Sequence, residues 1–195
     1  MSIKSLKSGL NSNSVMSGNI IILPGDFESI ATYTVGSGGQ ATIEFTSIPQ
    51  TFTHLQLRCS SKTSGASADS YIRLGYSGTN YATSYRHLLY GDGSSASGIA
   101  ASGEGYIIST AGSGGTSIFS ADIIDILDYT NTNKTKVFNT IGGMENNGGT
   151  NPYFRYGSGM WNSTAAITSI TLYPQPTGSL AQYSSFALYG IKGAA

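Results

Sequence analysis

The alternation of apolar and polar side chains changes character once along the chain. From Phe27 onward, short runs with a period of two follow one another through Gly- and Ser-rich punctuation, the pattern of strands with one face on a core. Runs 30–35 and 41–46, joined by Gly36-Ser37-Gly38-Gly39, predict a hairpin with Ile43 and Phe45 inward. In 54–59, Leu55, Leu57 and Cys59 are expected in the core, with His54, Gln56 and Arg58 on the surface. Further strands are predicted at 70–76, 85–90, 105–110, 117–129, 136–141, 153–156 and 167–173. Within 117–129, Phe119, Ala121 and Ile123 share one parity while Ile124 and Ile126 fall on the other, which predicts a β-bulge near Asp122 or Ile123. The last run, 184–193, is apolar on both parities: Phe186, Leu188 and Gly190 on one side, Ala187, Tyr189 and Ile191 on the other. It reads as a closing strand inserted between earlier ones, with a core on one face and a cover on the other. Ten or so short strands with turn signals every ~8 to 12 residues predict an all-β fold, a jelly-roll-like antiparallel β-sandwich over residues 27–195.

Residues 1–26 lack strand alternation and form an extended N-terminal arm. Ile3, Leu6 and Leu10 are spaced to line one side of a short helix, and Ile20, Ile21, Ile22 and Leu23 form an apolar cluster before Pro24-Gly25. Two readings stand: a disordered tail, or a docking arm whose cluster is buried on its own domain or on a neighbour.

Composition narrows the function. Charged residues are 10% of the 195, ten basic against ten acidic, where ordinary domains carry about 25%. Electrostatics is therefore not the expected means of finding a partner, and nucleic acid is not an expected ligand. Ser, Thr, Asn, Gly and Tyr supply the polar surface, as in extracellular and virion proteins. Cys59 is the single cysteine, so no intramolecular disulfide and no thiolate metal site is expected. The longest early apolar run, 20–23, is too short for a signal or membrane segment, which predicts neither export nor membrane insertion.

Candidate chemistry is sparse. Asp122, Asp125 and Asp128 alternate faces on one strand and lack the spacing of a calcium loop, so they read as solvated charges at a strand edge. No carboxylate pair stands out for glycoside hydrolysis. His54 and His87, the two histidines, sit in no nucleophile or metal motif. The Gly-rich loops precede strands rather than a helix and are not phosphate cradles. The expectation is a non-enzymatic protein without cofactor or metal. Aromatic residues are denser: Tyr76, Tyr81, Tyr85 and Tyr90 in one segment and Tyr153, Tyr156 and Trp161 in another form a possible contact surface for a protein or a glycan.

Ser47-Ile48-Pro49-Gln50-Thr51-Phe52-Thr53-His54-Leu55-Gln56-Leu57-Arg58, preceded by Phe27-Glu28-Ser29-Ile30-Ala31-Thr32, resembles segments of tailed-phage virion proteins, cyanophage-like ones in particular. So does the ending, from Ile170-Thr171-Leu172 through a Gly/Ser loop to Ser185-Phe186-Ala187-Leu188-Tyr189-Gly190-Ile191. The resemblance covers residue 27 to the end and rests on fold signatures, with no catalytic motif to carry over. It implies a virion structural protein assembled in the host cytoplasm: a capsid decoration, head-fibre or tail-fibre component, commonly a trimer, with other capsid or tail proteins as partners. A capsid decoration docked by the arm is the first expectation, and a receptor- or glycan-binding tail-fibre module is the alternative.

Overall fold

A computed structural model describes residues 15–17, 20–22, 26–64, 70–77, 84–91, 96–102, 106–110, 117–145, 152–175 and 178–193. All regular structure among them is β. In chain order the strands are β1 (Val15–Ser17), β2 (Ile20–Ile22), β3 (Phe27–Thr34), β4 (Ile43–Phe45), β5 (His54–Ser61), β6 (Ser70–Tyr76) and β7 (Ser84–Gly91). They continue with β8 (Ala96–Ser102), β9 (Tyr106–Thr110), β10 (Ser120–Leu127), β11 (Lys136–Met144), β12 (Tyr153–Trp161), β13 (Ile170–Gln175) and β14 (Ser185–Ile191).

A large sheet has the order β3-β14-β5-β10-β11-β12-β7-β8, a smaller one the order β4-β13-β6-β9, and β1 pairs with β2 separately. All pairings in the two larger sheets are antiparallel. If β3, β4, β5, β6, β9, β10, β13 and β14 are lettered B to I, the sheets read B-I-D-G and C-H-E-F, which is the jelly roll. Hairpins β7–β8 and β11–β12 are additions that widen the large sheet beyond β10. The closing strand is central, with β3 on one side and β5 on the other.

The core forms because inward parities are apolar on both layers. Leu55, Leu57, Ile124, Ile126, Phe186 and Leu188 of the large sheet meet Ile43, Phe45, Ile170 and Leu172 of the small one, all buried. Tyr129 is fully buried and its hydroxyl donates to the Pro49 carbonyl, pinning the β4–β5 connection to the β10–β11 turn. A second, smaller cluster joins Met144 and Tyr153 with half-buried Ile118.

Three expectations change. The runs flanking 36–39 do not form a hairpin: β3 pairs with β14 and β4 with β13, so the loop carries the chain from one layer to the other. Gly38 and Gly39 (φ 95° and 76°) permit that turn, and Gln40 then bridges to Leu180 rather than back to β3. The bulge foreseen near Asp122 is absent, since β10 keeps continuous register with β5 and β11. Its inward residues are Ser120, Asp122, Ile124 and Ile126, so the polar pair continues the apolar parity. A register shift does occur between Leu188 and Tyr189, opposite β3, where consecutive Ile30 and Ala31 both pack on the core. Finally, the arm holds a short hairpin where no strand was expected, Val15 opposite Ile22.

Candidate contact surface

The outer face of the large sheet is built by the residues that alternate with the core. Register places Arg58, Ile123, Ile141 and Tyr156 side by side across β5, β10, β11 and β12. The next row along the strands is polar: Gln56, Asp125, Asn139 and Ser158. The one after it is apolar again, with Leu127, Val137 and Met160. On the other side of the Ile123–Ile141 row lie Ser60, Ala121, Gly143 and Phe154. Leu127, Val137, Ile141, Phe154 and Tyr156 are each 39–44% exposed. Because Ala121 and Gly143 are small, a shallow depression of about 580 Å³ opens there, bordered by Arg58, Ile123, Ile141 and Phe154.

Three polar groups on this face are linked within the chain. Arg58 Nε donates to Gln56 Oε1 at 2.8 Å, and Gln56 Nε2 donates to Asp125 Oδ1 at 2.8 Å. The second face of β14 has its cover: Tyr189 stacks on Phe27 with centroids 4.7 Å apart, and the Arg58 guanidinium lies 5.3 and 5.6 Å from the two rings. Phe27 and Tyr33 of β3 remain partly exposed beside the closing strand, and the larger group of exposed apolar side chains sits on β10–β12.

Beneath this face runs a buried polar row. Cys59, Asp122, Gly142 and Arg155 are neighbours across β5, β10, β11 and β12 on the inward side. Gly142 is required: a Cβ there would stand 1.9 Å from Asp122 Oδ1. Burial pushes the Asp122 carboxyl up to about 8, against the lowering effects of a Ser120 hydrogen bond and the Arg155 charge. Asp122 Oδ2 has no hydrogen-bond partner among the described residues. Burial, and then the neighbouring Asp122, push the Cys59 thiol well above its ordinary range, which makes it an inert core residue. Asp122 is thus not the solvated edge charge expected from its identity, because β10 is a central strand.

The other two aspartates are accounted for locally. Asp125 is held by Gln56, and Asp128 pairs with Lys134 at the end of β10. His54 Nδ1 accepts the Asp128 backbone N–H at 3.0 Å, a structural role. Lys136 is 1% exposed and donates to the Asn131, Lys134 and Thr164 carbonyls at 2.5, 3.0 and 2.9 Å. Its ammonium clips two loops together in the way a bound cation would. Among the described residues no three His, Cys, Asp or Glu converge as metal donors.

Of the aromatic contact residues expected, Tyr156 is on the outer face, whereas Tyr153 and Trp161 are 7% and 5% exposed. Strand β12 runs to Trp161, and alternation through Gly157 and Gly159 turns Tyr153 and Trp161 inward. They are core and not contact surface. The side chains of Tyr76, Tyr81, Tyr85 and Tyr90 lie outside the described residues, as do Ile3, Leu6, Leu10 and Leu23; Ile20, Ile21 and Ile22 are placed only as strand β2. Tyr183 was not singled out, yet it is 71% exposed at φ 72°. Its loop is fixed by Tyr183 N to Val35 O (2.9 Å), Val35 N to Ser184 O (2.8 Å) and Ala181 N to Lys62 O (2.8 Å).

A scan against protein-family models and searches of curated proteins and of solved structures returned no match for this chain.

Proposed function

We propose that this chain is a non-enzymatic structural protein of a bacteriophage virion: a jelly-roll capsid decoration or head-fibre protein that docks through its N-terminal arm and associates with its own copies. The observation that carries the reading is the B-I-D-G and C-H-E-F strand order, an architecture used repeatedly for viral coat and lectin domains. This is an analogy of fold, and two features of the chain support it. Charge is scarce and balanced, which suits a protein that touches other proteins over broad neutral surfaces. Among the described residues the arm hairpin pairs in neither sheet of the sandwich, which suits an arm that makes a separate contact. Labelling purified particles with an antibody against the sandwich tests the reading. Regular labelling of the head supports it, and unlabelled particles count against it.

A second reading, a receptor- or glycan-binding module of a tail fibre, is favoured by Tyr183. An exposed aromatic on a hydrogen-bonded loop with a left-handed backbone is a preorganised platform for a sugar ring. Glycan-array binding that is lost in Tyr183→Ser would move the assignment to this reading.

A further inference from the structure

We infer that the outer face of β10–β12 is the surface through which two copies of this chain associate, packed face to face about a two-fold axis lying between the sheets. The inference rests on the self-associating reading above and names the surface that carries it.

Area is the first argument. Leu127 and Val137 form one apolar band and Ile141, Phe154 and Tyr156 another, on three neighbouring strands, each residue 39–44% exposed. Together the two bands leave on the order of 400 Å² of apolar surface in water. With half-buried Ile123 and Met160 and the intervening polar row, the face reaches the ~600 Å² per partner at the low end of stable interfaces.

The second argument is pattern. Across the strands the face is banded: an apolar row from Ile123 to Tyr156, a polar row from Gln56 to Ser158, and an apolar row from Leu127 to Met160. Turning a second copy over about an axis along the strands lays each row on its own counterpart. Turning it over about an axis along the polar row exchanges the two apolar rows and keeps polar on polar. Either way like meets like, so the face is complementary to itself. Asn139 and Ser158 bring both donors and acceptors to the middle band.

Charge and rigidity remove the usual obstacles. Ten basic and ten acidic residues leave two copies without mutual repulsion. Arg58 and Asp125 are held by hydrogen bonds to Gln56, so their positions on the face are already ordered before association. The strands are held from beneath by buried Ile124, Ile126, Lys136, Phe138 and Trp161, so little backbone order is lost on contact. A self-matching face gives an isologous pair in place of the three-fold ring expected from the sequence.

The test is sedimentation of the full chain at micromolar to sub-millimolar concentration. The parent should sediment as two chains. Ile141→Glu places a carboxylate on each side of the contact and should weaken association roughly 100-fold or more while leaving thermal melting unchanged. Phe154→Ser carries the same test should a carboxylate at 141 prevent folding. Tyr183→Ser, away from the face, should still sediment as two chains. A parent of one chain over the whole range overturns the proposal, as does a pair insensitive to both Ile141→Glu and Phe154→Ser. A parent of three chains overturns this contact while leaving self-association standing. A pair that dissociates as stated, from a chain never found in particles, supports the surface and removes the virion reading instead.

Discussion

Asp122 ties the stability of the sandwich to pH. Its carboxyl titrates near 3.8 when solvated and at about 8 in the folded chain, because burial penalises the charge. The folded state then binds the proton more tightly than the unfolded state. The contribution is complete below about pH 4 and is lost as pH rises to about 8. Urea midpoints should therefore fall over that window, and Asp122→Asn should flatten the fall. Asp128, held below its ordinary value by the hydrogen bond from Lys134, acts with the opposite sign and only in more acid solution. Lys136 gives a second prediction at this scale. Lys136→Met keeps the buried length but leaves the Asn131, Lys134 and Thr164 carbonyls without their common donor. A loss of about 2–4 kcal/mol is expected, read from denaturant midpoints.

At the scale of elements, β14 was legible and its surroundings were not. Apolar residues on both parities of 186–191 marked a central strand, and Leu188 is fully buried there. Leu188→Ala should cost about 2–5 kcal/mol, while exposed Thr42→Ala stays within about 0.5; equal midpoints for the two would remove β14 from the centre of the core. The same signal was present in 136–144, where Val137 and Ile141 oppose Phe138, and it marks the apolar outer face. Pairing partners were not legible, because alternation fixes which face a residue takes and leaves open which strand lies beside it. So β3 and β4, adjacent in the chain with a glycine turn between them, read as a hairpin although they lie in different layers. Strand β8 (Ala96–Ser102) is rich in Ala, Gly and Ser and gave no apolar period to find. Asp122 escaped for a related reason: its inward position follows from β10 lying between β5 and β11, which only the assembled sheet reveals.

For the whole molecule, the boundary at Phe27 is the point to test. Strand β3 opens there and enters the large sheet, whereas β1 and β2 pair only with each other in sheet terms. Removing residues 1–26 should leave the melting temperature of the sandwich unchanged within a few degrees and abolish incorporation into particles lacking the native copy. Incorporation at the parental level would end the docking-arm proposal. The position of β14 has a further consequence, for synthesis. Until Ile191 has emerged from the ribosome, β3 and β5 face a gap one strand wide, each with a row of unpaired backbone groups. The sandwich can then zip shut only after translation of nearly all of it, by contacts between residues 27–34 and 185–191 that span most of the chain. Folding should be slow for its size, in milliseconds to seconds. A chain released before β14 would carry two adhesive edges, so this strand also decides whether an unfinished product aggregates with its copies.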